Sequence, residues 1–214
     1  NIEEYNPNKY EVWFFFIGTG SALGGFLWLI LPFYQNFRQT IGEWAINREW
    51  YWIGESGPGW LMSVHPERRE VFNWLDFTSI LTFMMIITVI FTVLMASINQ
   101  LQTILVKRIN PLSKEHSVFN ILAYQYMPVA MISLLIGLGG KLFTLLEVLG
   151  LHPTLTIALK AGLFLAAILW SIKIGIRLVS KLGIVGGQLW LPVSVGATGS
   201  IAVGLSWWPA IFGL

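Results

Sequence analysis

The side chains able to do chemistry are few, and each must be judged by the apolar sequence around it. Lys141 and Lys160 lie within long apolar runs on either side of a short break, Leu151-His152-Pro153-Thr154. A charge inside such a run is costly and usually has a reason. One reading is an anion, proton or quinone-headgroup site near a membrane face, with Glu147 close enough to pair with either lysine. The plainer reading is snorkelling, in which long stems carry both ammonium groups to the interface. Lys173, Arg177 and Lys181 recur at helical spacing and form a basic stripe. Such a stripe binds anionic lipid or an acidic partner, or else simply marks the cytoplasmic end of a span.

The remaining chemistry is bounded by what the sequence lacks. Its three histidines are His65, His116 and His152. A transmembrane haem takes axial ligands from inside spans, and none of these falls inside a predicted span. A metal shared by His65 and His152 would need further ligands in register, so no metal site is expected. Cysteine is absent, which excludes disulfides, thiolate metal sites, iron–sulfur ligation and thiol nucleophiles in this chain. No phosphate-binding glycine loop, dinucleotide fingerprint, HExxH pair or GxSxG elbow occurs. No catalytic residue is assigned.

The elements that must position these residues are membrane spans. Of 214 residues, 55% are hydrophobic and 11% charged, against about 25% charged in a soluble domain. Mean hydropathy is +0.67. The net charge of +2 is too small to argue for nucleic acid. The chain is organised around a hairpin, residues 118–181, whose arms each exceed the roughly 20 residues that cross a hydrocarbon core. The reading is all-α: one polytopic integral membrane domain over residues 1–214, with about five transmembrane helices at about 11–34, 77–98, 118–149, 155–181 and 189–211. No basic n-region with a small-residue cleavage site precedes the first apolar run, so no retained signal peptide is expected.

Within these spans several devices are legible. Ser21 with Gly25, Gly18 with Ala22, and Gly196, Ser200 and Gly204 are small residues four apart, which let helix backbones approach closely. These stripes are expected to serve partner contacts. The second helix is expected to continue past Asn99, Gln100 and Gln102 to Arg108, projecting beyond the headgroups until Asn110-Pro111 stops it. Pro128 should kink the third span.

Residues 35–76 form an aromatic extramembrane segment that includes Trp44, Trp50, Trp52, Trp60 and Trp74. Phe37, Ile41 and Trp44 share a helical face, with Arg38, Gln39 and Glu43 between them, which suits an amphipathic helix in the interface. Pro66 is placed to open a short helix ending at Asp76. Lys107, Arg108 and Lys114 follow the second span, and Lys173, Arg177 and Lys181 close the fourth. The positive-inside rule puts these loops and the amino terminus in the cytoplasm and the carboxy terminus outside. A bacterial inner membrane or its equivalent is the expected location.

The last three spans resemble one family. Leu122-Ala123-Tyr124-Gln125-Tyr126-Met127-Pro128 opens a kinked helix, a helix with a basic end follows, and Leu191-Pro192 opens a last helix closing on Trp207-Trp208-Pro209. This is similar to the membrane portion of polyferredoxin-type electron-transfer accessory proteins. The chain departs from them in lacking cysteine clusters, and in carrying Gly137-Leu138-Gly139-Gly140-Lys141 where histidines would be expected. The resemblance implies a membrane scaffold whose cofactors lie in partner chains.

The expected function is a non-catalytic integral-membrane subunit that anchors a larger complex, most readily a respiratory or electron-transfer one. It would bind no cofactor itself beyond a quinone, and its partners would be lipids and other integral-membrane and redox subunits. The alternative is a small transporter or channel component, for which Pro128 and the glycines after it supply a broken helix.

Overall fold

The computed structural model describes residues 8–30, 33–55, 57, 73–111, 118–138 and 140–212. Among the described residues there is no strand, and the fold is all-helical. Four stretches are long and apolar enough to cross a membrane: Trp74–Ile109, Val118–Gly137, Pro153–Lys181 and Gly186–Ser206.

The chain enters helix α1, Lys9–Ile30, and restarts as α2, Phe33–Asn47. Residues 31–32, including Pro32, lie outside the described residues. One face of α2 lies against the bundle, where Phe37 meets Phe83 edge to face at 5.6 Å. Trp44 stays 44% exposed. A 3-10 turn, Tyr51–Gly54, follows.

Helix α3, Trp74–Ile109, is 36 residues long. Asn73 opens it with a reciprocal cap: its side chain accepts from the Asp76 N–H at 2.9 Å, and Asp76 accepts from the Asn73 N–H at 3.1 Å. The expected short helix ending at Asp76 is thus corrected, because Asp76 sits in the first turn of α3. Residues 58–72, with Pro66 and Trp60, lie outside the described residues. Asn110 caps the far end, where the stop was expected. The helix runs on to Ile109, and its last turns are covered on one side: Asn99, Gln102, Thr103 and Val106 are all buried, with α4 and α8 packed against α3.

The third span comes in pieces: α4, Val118–Ala123, a 3-10 turn, Tyr124–Tyr126, α5, Met127–Leu138, and α6, Gly140–Val148. Pro128 explains the turn. It has no N–H to give the carbonyl four residues back, and the Met127 N–H bonds the Tyr124 carbonyl instead. Helix α7, Pro153–Lys181, is capped by the His152 ring, whose Nδ1 accepts from the Thr154 N–H at 3.3 Å. Gly183, at φ +81°, turns the chain where α7 ends. A 3-10 turn, Gly186–Leu189, leads to α8, Trp190–Ser206, and then α9, Trp208–Phe212.

α1 packs most extensively on α3, and α7 on α8. The close approach of α1 uses Gly20 and Gly24. A Cβ at Gly24 would fall 2.9 Å from the Met84 carbonyl, and one at Gly20 would fall 3.1 Å from that of Thr88. The pairs expected from spacing were Gly18 with Ala22 and Ser21 with Gly25, so the stripe is offset from the expected one. It is also spent inside the chain rather than on a partner.

Candidate functional site

Two apolar clusters fill the bundle. One gathers Phe16, Phe83, Met95, Tyr126, Phe164, Val203 and Trp207. The other, at the basic end, gathers Val106, Leu122, Ile174, Leu178 and Val193. A polar layer separates them, with members at the intermediate position on each element: Asn99 and Gln102 on α3, Gln125 in the 3-10 turn, Ser171 on α7, Ser200 on α8. All five are buried, at 0–1% exposure.

Gln102 and Gln125 exchange hydrogen bonds. The Gln125 Nε2 donates to Gln102 Oε1 at 2.5 Å, and the Gln102 Nε2 donates to Gln125 Oε1 at 3.3 Å. The Ser171 hydroxyl donates to the Gln125 backbone carbonyl at 2.5 Å and lies 2.6 Å from the Ser200 hydroxyl. Each hydroxyl has one proton; either serine can be the donor in the 2.6 Å contact, and the Ser200 hydroxyl also reaches the Gly196 carbonyl at 3.3 Å. Asn99 Nδ2 donates to the Phe119 carbonyl at 2.8 Å, tying α3 to α4.

Glycines make room for these amides. A Cβ at Gly175 would fall 2.5 Å from Gln125 Oε1, and one at Gly196 would fall 2.7 Å from Gln102 Nε2. Gly196, Ser200 and Gly204 form the expected small-residue stripe on the last span. They face Gln125, Ser171 and Ile168 of this same chain, so this stripe too is corrected from a partner surface to an internal seam. The layer consists of neutral donors and acceptors. Its chemistry is hydrogen bonding that fixes the register of four elements, which low surrounding polarity strengthens.

The lysine pair is placed differently. Lys160 is half-buried on α7, and its Nζ lies 5.3 Å from the centre of the Phe143 ring on α6. That contact is a cation on an aromatic face. Lys141 falls in the first turn of α6, and its side chain lies outside the described ones. Glu147 is half-buried in the same helix. Lys173, Arg177 and Lys181 are exposed along the last turns of α7. The Asn110 Nδ2 donates to the Leu182 carbonyl at 2.9 Å, which brings Lys107 and Arg108 to the same end of the molecule. His65 and His116 lie outside the described residues. Among the described residues no three metal-binding side chains gather.

At the other end Arg38 Nε donates to Asp76 Oδ1 at 2.5 Å, joining α2 to the start of α3. Beside this pair Tyr34 is buried, with its ring edge-on to Phe83 at 5.5 Å. Burial pushes its phenol up to about 12, with Asp76 adding to the rise and Arg38 opposing it.

Sequence reading did not find the polar layer. A signal for it exists in the run Asn99, Gln100, Gln102, Thr103 on a helix too long for one bilayer, together with Gln125 three residues before Pro128. No protein-family model, curated protein or solved structure matches the chain.

Proposed function

We propose that this chain is a non-catalytic integral-membrane subunit that anchors or scaffolds a larger membrane complex. The observation that carries this reading is how the interior is used. In the polar layer the Gln102 and Gln125 amides and the Ser171 and Ser200 hydroxyls bond within the chain, and Gly175 and Gly196 make room for the amides, which fixes helices against one another. The outward faces of α3 and α7 carry Val89, Val93, Leu101, Leu165, Leu169 and Trp170 to lipid or to neighbouring chains. The similarity to the membrane portion of polyferredoxin-type accessory proteins makes a respiratory or electron-transfer assembly the first to test. Redox subunits would be its partners, and any quinone would bind near Lys141 and Lys160.

We read α1 as a fifth span. Its 22 residues reach about 33 Å at 1.5 Å per residue, and it packs lengthwise on α3. We read α2 with the Trp44, Trp50 and Trp52 cluster as an interfacial layer, since Trp rings favour headgroup depth. The amino terminus is then cytoplasmic, on the side of Lys107, Arg108, Lys173, Arg177 and Lys181, and the carboxy terminus is outside. A second reading, a transporter or channel component, draws on the 3-10 turn beside the buried polar layer.

Gentle solubilisation from the native membrane, then a native gel and mass spectrometry of the band, tests the assignment. A large band containing redox chains is the expected result. A lone 24.1 kDa species, or a simple multiple of it, overturns the subunit reading and leaves transport. Lys160→Met and Lys141→Met test the quinone site: activity lost in an intact complex supports it, and unchanged activity removes it.

A further inference from the structure

An open groove of about 600 Å³ lies between α1, α3 and α4. This size lies within the range of ligand pockets, about 300–1,000 Å³. Trp13 and Phe119 form one wall, their rings stacked at 6.4 Å. The other wall is α3, through Val93, Ser97, Gln100 and Ile104. These four are exposed, and steps of three and four residues put them on one helix face. The next residue on that face is Arg108, which is also exposed.

Read along α3, the face is apolar at Val93 and neutral polar at Ser97 and Gln100; Ile104 closes the groove, and Arg108, one turn past the lining, adds a cation. Depth gives this order its meaning. The Arg38–Asp76 pair stands at one end of α3. A hydrocarbon core of about 30 Å takes about 20 residues, so the opposite boundary falls near Ser97 and Gln100. Arg108 lies about 12 Å beyond Gln100 along the helix, among the headgroups.

We propose that this groove binds an anionic phospholipid of the surrounding bilayer. One acyl chain lies against Val93 and the Trp13 and Phe119 rings. Ser97 and Gln100 donate hydrogen bonds to the ester carbonyls. Arg108 meets the phosphate and the headgroup charge, with Lys107 on the adjoining face. The site depends on the chain lying in a bilayer and is independent of which complex it joins. It is also separate from the Lys173, Arg177 and Lys181 stripe.

The test is native mass spectrometry of the full chain, delipidated in mild detergent. Phosphatidylglycerol and phosphatidylcholine of the same acyl chains are titrated in turn. One phosphatidylglycerol should be retained per chain, about fivefold more tightly than phosphatidylcholine, the preference one cation near the surface confers. Arg108→Gln should remove that preference, and Gln100→Leu should weaken both lipids alike. A combined K173Q/R177Q/K181Q variant should leave the preference intact. Equal binding of the two lipids by the unaltered chain overturns the proposal. So does a preference that survives Arg108→Gln but is lost in the triple variant, or a groove that takes decylubiquinone ahead of phosphatidylglycerol. All of these substitutions are at exposed positions, and an unchanged melting profile for each variant confirms that its fold is retained.

Discussion

Gln102 and Gln125 satisfy each other, so deleting either amide strands its partner in an interior without water. Gln102→Leu or Gln125→Leu alone should cost about 1–3 kcal/mol, the penalty for an unpaired buried polar group. The double variant should cost clearly less than the sum, because it leaves neither amide stranded. Unfolding of the three variants in detergent measures this, and simple additivity would sink the exchange of bonds. The serines make a second test. Ser171 bonds the Gln125 carbonyl on another element at 2.5 Å, whereas Ser200, beyond its contact with Ser171, reaches only the Gly196 carbonyl of its own helix at 3.3 Å, so Ser171→Ala should destabilise more than Ser200→Ala in the same assay. None of this could be read from spacing alone. Gln102 sits among Gln100, Thr103 and Lys107, which looks like a helix leaving the membrane, and its partner lies 23 residues away. Ser200 and Gly196 were visible as part of a small-residue stripe. Periodicity gives the face a residue occupies, but not which helix covers that face.

Among the elements, α2 is held to the bundle at one edge by Arg38, Asp76 and the buried Tyr34. The phenol is pushed up from 10.0 to about 12 in the fold, so the unfolded chain gives up that proton first as pH rises. Tyr34 therefore leaves stability untouched below about pH 10 and lowers it as pH climbs toward 12. Unfolding midpoints of the natural chain and of Tyr34→Phe, compared across that range, should diverge, with the phenylalanine variant losing less. A parallel fall in both would rule Tyr34 out as the cause. Element ends were legible where the chemistry is local: the stop at Asn110-Pro111, and the turn at Leu151-His152-Pro153-Thr154. The division of the third span was half legible. Pro128 is plain in the sequence, but its effect falls on the carbonyl of Tyr124, one turn earlier. The offset of the α1 stripe was not legible, because Gly18, Gly20, Gly24 and Gly25 offer overlapping registers and only packing on α3 selects Gly20 and Gly24.

On the scale of the molecule, the charges divide by end, and the absence of native cysteine makes the orientation directly measurable. Val185 is 73% exposed in the connection after α7, and Leu149 is 74% exposed at the opposite turn. A membrane-impermeant maleimide should label Leu149→Cys in intact cells, and Val185→Cys only after permeabilisation. The reverse pattern would invert the topology. The polar layer also bears on how the chain is made. A membrane protein is delivered to the bilayer amino end first, and Gln102 and Gln125 arrive well before Gly175 and Gly196, the residues that close over them. Until the last span is in place, the paired amides are open on one side, at the membrane boundary, to headgroups or to the insertion machinery. The final helix thus acts as a keystone. A nascent chain that stalls before residue 190 would show an uncovered polar flank at the membrane boundary, a mark by which quality control can tell an unfinished molecule from a finished one.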